Sequence, residues 1–265
     1  MGPVMKNTLK ETMKKRPVFG ATVLSGSPMM VEALGHFGYD FVFIDAEHTP
    51  LAVTQLKELI LAARFTGISP LVRVTRPEPV EIRKAFEMGA EGVVVPHIKT
   101  KAEMELCIQG AKFPPKGRRG YDPSVRSAGY GAGDYDAAAY IEHSNETELV
   151  IPLAEDFEFI ENIDEILSVE GLEIVNFGPV DFALSKNKVF CGMDMPEIVD
   201  ALTTIIEKCR AKNISVMVPG IPPTYESVKS IIDMGANMLA VGTDIMHFNN
   251  GLRTVKENVV SKFQS

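Results

Sequence analysis

The chain has 265 residues, 45% of them hydrophobic and 23% charged, a globular composition that excludes disordered and fibrous repeats. No uninterrupted apolar run approaches the roughly 20 residues that cross a bilayer as a helix. Twenty-seven Lys and Arg against 35 Asp and Glu leave −8 at pH 7, and with no basic stripe interleaved with aromatics a nucleic-acid backbone is a poor partner.

Three cysteines, Cys107, Cys191 and Cys209, are too few and too widely spaced for a disulfide framework or a cysteine zinc site. The basic start of the chain lacks the apolar stretch of roughly 7–15 residues that a signal peptide needs. Lys6 breaks the myristoylation pattern. A reducing cytoplasm is the expected address, in which the sequons at Asn145 and Asn213 stay unmodified.

In chain order, short apolar runs rich in Val and Ile fall at 18–26, 41–48, 69–74, 92–98, 148–155, 173–181, 214–220 and 238–244. They are apolar nearly throughout, as parallel strands buried on both faces are. Amphipathic stretches at 51–67, 79–90, 101–111, 158–171, 196–213 and 224–236 lie between them. Each closes near a glycine or asparagine, which suits a left-handed cap before the next strand. This alternation predicts right-handed βαβ units and a parallel sheet. Eight such units fit a closed TIM (β/α)8 barrel better than a doubly wound sheet. No compositional break divides the chain, so residues 1–265 read as one domain, with a core over about 16–245 and a C-terminal helix over about 246–262.

One connection departs from the rhythm. Residues 112–147 carry paired prolines, repeated glycines and three arginines, and so long a loop inside a compact domain is usually functional. It is expected on the active face of the barrel. Its GYGAGD run is no dinucleotide fingerprint, because it follows no strand and lacks the full spacing.

Barrel enzymes keep their catalysts at the C-terminal ends of the strands. There the second run ends in Asp45, Glu47 and His48, and the third carries Arg73. The fourth ends near His97, the fifth at Glu155 and Asp156, and the sixth at Asp181. Glu155 and Asp181 close adjacent strands, so their carboxylates can converge, and a divalent cation such as Mg²⁺ or Mn²⁺ would relieve their repulsion. Either could instead cap the helix that follows. His48 follows two carboxylates, and pairing with Asp45 would fix its tautomer and raise its basicity; a satisfied strand-end histidine is the plainer alternative. A buried Arg73 needs an anion, which is either a substrate or, in a structural pair, Glu47 or Glu87.

Several motifs now stand in order: DAEH at 45–48, PLVRV at 70–74, PPKGRRG at 114–120, the AED closing the fifth run, GPVD at 178–181 and AVGTD at 240–244. Together, over roughly residues 16–260, they resemble the HpcH/HpaI aldolases, the metal-dependent class II pyruvate aldolases of 2-keto-3-deoxy sugar acids and of hydroxyl-oxo-heptenedioate. The resemblance implies a barrel of the phosphoenolpyruvate/pyruvate-binding type with a divalent cation (Mg²⁺, Mn²⁺ or Co²⁺) on Glu155 and Asp181, chelated by the 2-keto acid. It implies His48, paired with Asp45 and Glu87, as the base, and Arg73 as the group that binds the keto oxygen and stabilises the enolate. Backbone amides of the turn Gly178, Pro179, Val180 and Asp181 would receive the pyruvate carboxylate. The implied assembly is a homohexamer, a trimer of dimers that exchange the last helix. The aldehyde pocket is expected from the 112–147 excursion and a neighbouring subunit.

The reading that follows is reversible retro-aldol cleavage of a 4-hydroxy-2-oxo acid to pyruvate and an aldehyde. The rivals are an oxaloacetate decarboxylase, a CoA-ester lyase of the citrate-lyase β type, and a non-catalytic barrel. An imine mechanism needs a strand-end lysine, whereas Lys99 and Lys186 lie beyond the runs. Four departures from the family pattern bear on efficiency and acceptor choice: Glu87 where an aspartate is expected, Leu153, Val180, and the pair Phe182 and Ala183.

Overall fold

The structure, a computed structural model, describes residues 8–264; the first seven residues, Lys6 among them, and Ser265 lie outside it. Eight parallel strands close into a barrel in chain order. They are β1 Val18–Val23, β2 Phe41–Asp45, β3 Ser69–Arg73, β4 Gly92–Val95, β5 Leu149–Ala154, β6 Ile174–Phe177, β7 Ser215–Pro219 and β8 Met238–Thr243, and β8 pairs back onto β1. The helices are α1 Thr8–Met13, α2 Pro28–His36, α3 Val53–Thr66, α4 Pro79–Met88, α5 Lys101–Ala111, α6 Ala137–Thr147, α7 Phe157–Glu161, α8 Ile163–Ile166, α9 Pro179–Ser185, α10 Pro196–Ala211, α11 Tyr225–Met234 and α12 Asp244–Asn258. No helix among the described residues is long and apolar enough to cross a membrane.

Strand alternation sorts the core into two layers. Phe41, Phe43, Leu71, Val94, Ile151 and Leu153 belong to the cluster that fills the barrel, which Leu9 of α1 also joins. Their neighbours Val42, Ile44, Val72, Val93, Val95 and Val150 belong to the outer cluster, packed beneath the helices. Because side chains alternate with a period of two, the inward set continues from Phe43 to Asp45, from Leu71 to Arg73 and from Leu153 to Glu155. Asp45 and Arg73 are also register partners across β2 and β3. Strand geometry alone therefore delivers these three polar groups to one end of the barrel.

All eight apolar runs form strands, each shorter at its C-terminal end than its run. The sixth differs more. Residues 178–181 were expected to finish a strand; instead Pro179 opens α9, its ring pre-setting φ and its missing N–H costing nothing at the first helical position. The amphipathic stretch 158–171 divides into α7 and α8 at Asn162.

The 112–147 excursion needs a correction of place. It leaves α5 and enters β5, and a helix-to-strand connection falls at the N-terminal end of a barrel, opposite the catalytic mouth. Within one chain it therefore does not line the active face. It is anchored there by buried charge: Lys112 donates to the backbone oxygens of Asn145 and Glu148, and Arg119 pairs with Glu148. Arg119 also lies over the Phe113 ring, 4.5 Å from its centroid.

Candidate active site

At the mouth, Arg73 grips Asp45 with two parallel bonds, Nε to Oδ1 at 2.9 Å and Nη2 to Oδ2 at 2.7 Å. Its remaining nitrogen, Nη1, lies 3.2 Å from Glu47 Oε2, and its plane rests over Phe43 at 5.5 Å from the ring centroid. Asp45 is wholly buried. Burial works to raise its carboxyl, but the bonds and charge of Arg73 and the amides of Glu47 and His48 outweigh that and hold it below its ordinary value. The same carboxylates outweigh burial at Arg73 and raise the guanidinium.

The structure does not bring the Asp45 and His48 side chains together as the expected dyad. Asp45 Oδ1 accepts the backbone N–H of Glu47 at 3.0 Å and of His48 at 3.4 Å, so it shapes the turn while Arg73 occupies its outer oxygens. The imidazole of His48 stands half in solvent, its Nε2 3.7 Å from Glu47 Oε2. Glu87 is also elsewhere. It occupies the last turn of α4, on the descending leg away from the mouth, and pairs with Arg83 at 3.6 Å; the structure does not bring it together with His48 within one chain.

Glu155 follows β5 inward and is 2% exposed. Burial pushes its carboxyl up, to about 7; the backbone N–H and the charge of His97 oppose the rise, while Glu47 and Asp181 add to it. Gly178 makes room for it, since a Cβ there would lie 2.9 Å from Glu155 Cβ and 3.2 Å from Oε2. Asp181 sits half-buried in the first turn of α9. In the turn before it, the Gly178 N–H is already given to the Ala154 carbonyl at 3.1 Å, and Pro179 has none. The amides left for an anion are those of Val180 and Asp181, which have no partner inside a helix's first turn.

Three more groups complete the mouth. His97 takes a left-handed backbone with φ 55°, donates its N–H to Glu155 Oε1 at 2.9 Å, and sets Nδ1 2.9 Å from Asp156 Oδ2. Burial lowers the His97 imidazole, but Asp156, Glu155 and Glu47 outweigh it and raise it above its ordinary value. Lys99 Nζ lies 3.3 Å from Asp156 Oδ1. Ligand atoms of Glu47, His97 and Glu155 all fall within 4.8 Å of one another. Glu47 Oε2 is buried and makes no hydrogen bond.

Oxygen donors crowded without enough protons or cations between them are what a divalent cation satisfies. The buried Glu155 and the neighbouring Asp181 therefore fit such a group, with Glu47, already paired with Arg73, beside them. Glu47 was visible at a strand end only as a candidate structural partner of Arg73, and His97 carried no assigned role. The available signal was parity for Glu47, which stands two residues beyond the inward Asp45.

The HpcH/HpaI aldolase/citrate lyase family model matches residues 19–251. The chain is 31% identical over 197 residues to a hydroxypyruvate/pyruvate aldolase of Rhizorhabdus wittichii, covering 74% of this chain and 76% of that one. It is 25% identical over 256 residues to a 5-keto-4-deoxy-D-glucarate aldolase of Shigella boydii, covering 96% and 97%. Among solved structures, the citrate synthase SbnG superposes with a TM-score of 0.87 at 27% identity, covering 98% of this chain and all of that one.

Proposed function

The chain belongs to the HpcH/HpaI aldolase/citrate lyase family, and on that premise we propose that it is an aldehyde-lyase that cleaves a 4-hydroxy-2-oxo acid to pyruvate and an aldehyde and runs the reverse addition. The observation that carries this is Arg73, locked flat by Asp45 beside the buried Glu155 at the barrel mouth. Glu155 and Asp181 would hold a divalent cation (Mg²⁺, Mn²⁺ or Co²⁺), which would supply Lewis-acid polarisation of the substrate's keto oxygen.

The chain's own residues do the rest. Two of the five N–H groups of Arg73 are spent on Asp45 and one faces Glu47, which leaves donors for the oxygen on which negative charge grows as the C3–C4 bond breaks. Asp45 fixes the fork, so no reorganisation is needed at that moment. The Val180 and Asp181 amides receive the substrate carboxylate. His48 Nε2, exposed at the mouth, takes the proton of the C4 hydroxyl and returns one to C3, the general acid–base work an imidazole can do.

The assembly we propose is a cytoplasmic homo-oligomer of single-domain chains, a hexamer built as a trimer of dimers that exchange α12. Its support is α12 itself, whose one buried residue is Asp244 while Phe248, Leu252 and Val255 stand more than half exposed.

Solvent exchange of pyruvate methyl protons, followed by NMR with and without Mg²⁺ or Mn²⁺, tests the chemistry without the right aldehyde. Cation-dependent exchange that falls by roughly two to four decades in His48→Ala is expected. Full exchange in excess EDTA would overturn the cation's part, and an unchanged rate in His48→Ala would return His48 to a structural role.

A further inference from the structure

His97 has no task in the chemistry just described, yet the chain holds it with unusual care. A left-handed backbone is uncommon outside glycine, although His adopts it more readily than most residues, and outliers of this kind gather at functional sites. The φ of 55° turns the N–H onto Glu155 Oε1 and brings the ring between three carboxylates. The two ring nitrogens face different company. Nδ1 lies 2.9 Å from Asp156 Oδ2 and 3.4 Å from Glu155 Oε1, and Asp156 has Lys99 on its other oxygen at 3.3 Å. Nε2 lies 3.5 Å from Glu47 Oε1, and the other Glu47 oxygen faces Arg73 Nη1 at 3.2 Å.

A carboxylate on one imidazole nitrogen places the proton there and leaves a lone pair on the other, which is how proteins orient metal-binding histidines. We infer that His97 is a nitrogen ligand of the cation held by Glu155, with Glu47 on its other side, that Asp156 is its positioning residue, and that this nitrogen moves the site's preference from Mg²⁺ toward Co²⁺. The inference rests on the cation site proposed above. Mg²⁺ prefers oxygen and retained water in near-ideal octahedra, whereas imidazole suits the later divalent metals. The αL backbone is then the means by which a residue beyond β4 reaches a site built from β5 and α9.

Pulsed EPR of the Mn²⁺-loaded protein reads the ligand directly and independently of activity. We expect ¹⁴N modulation in the wild type that becomes ¹⁵N modulation when histidine is ¹⁵N-labelled. It should vanish in His97→Gln and persist in His48→Gln. In binding titrations His97→Gln should weaken Co²⁺ by about tenfold to a hundredfold and Mg²⁺ by much less, and Asp156→Asn should weaken Co²⁺ by about tenfold through lost orientation. Should His97→Gln not fold, the labelled wild type still decides the question. A wild-type Mn²⁺ complex without nitrogen modulation, or modulation that survives His97→Gln, overturns the inference. Mn²⁺ binding that is lost in Glu155→Gln but shows no nitrogen leaves the cation site standing and removes His97 alone. Mn²⁺ binding undiminished in Glu155→Gln overturns both.

Discussion

Lysine in place of Arg73 would keep the charge and lose the fork. The guanidinium holds Asp45 through two bonds at 2.7 and 2.9 Å, a geometry an ammonium cannot copy. If the arginine only neutralised Asp45 and Glu47, Arg73→Lys would cost little turnover. Acting on charge that develops in the transition state, its loss should cost about 3 kcal/mol, or ~100-fold in kcat, with a smaller change in KM. Steady-state kinetics of the folded variant check this, and a near-wild-type kcat returns Arg73 to a structural role. The arginine was legible because its parity could be read from PLVRV, but its partner was not. Beside a substrate, Glu47 or Glu87 was the protein anion weighed for it, and the register of β2 against β3 chose Asp45 as well as Glu47. Register between strands is a tertiary property that one strand's pattern does not encode. His97 was hidden for a related reason, since its reach depends on a backbone conformation that residue type alone does not announce.

Among the elements, the 112–147 excursion shows how the order of helices and strands outranks composition. Its glycines and prolines signal a functional loop, but a segment between α5 and β5 belongs to the barrel's N-terminal end. There Arg119, its side chain fully buried, pairs with Glu148 and sits over Phe113 and Phe86. Removing one partner of a buried pair leaves the other charge uncompensated, so Arg119→Ala should destabilise the chain by about 3–5 kcal/mol. Urea denaturation should show a lower midpoint with an unchanged slope. The last helix makes the opposite kind of prediction. Its stripe of Phe248, Leu252, Val255 and Val259 faces outward, so Phe248→Glu with Leu252→Glu should leave the barrel's circular dichroism intact while light scattering reports smaller species. An unchanged mass would remove α12 from the assembly interface.

For the whole molecule, the barrel was legible because eight apolar runs alternate with helices in one unbroken rhythm, and closure in chain order follows from right-handed crossovers. The mouth was only partly legible, because closure brings Glu47, His97, Glu155 and Asp181 together from four different connections. That convergence has a cost which can be measured in the folding equilibrium. Burial pushes the Glu155 carboxyl up to about 7 in the folded chain, from an ordinary value of 4.5. A folded-state value raised above the unfolded one gives stability that is present below about 4.5 and lost as pH rises through about 7. Without a cation the protein should therefore weaken over that window as the buried carboxylate ionises. A divalent cation binds the ionised form and reverses the loss, so its stabilisation should be small near pH 5.5 and large at pH 8. At about a hundred times its Kd the cation contributes roughly 2.7 kcal/mol, which for a chain of this size raises Tm by about 5–10 °C. Thermal scans with Mn²⁺ against EDTA, at both pH values, measure the difference. Glu155→Gln should abolish the Mn²⁺ increment and flatten the EDTA baseline, because the amide neither ionises nor binds the cation well. An increment that stays constant from pH 5.5 to 8 in the wild type would mean that the cation's binding does not depend on Glu155 losing its proton.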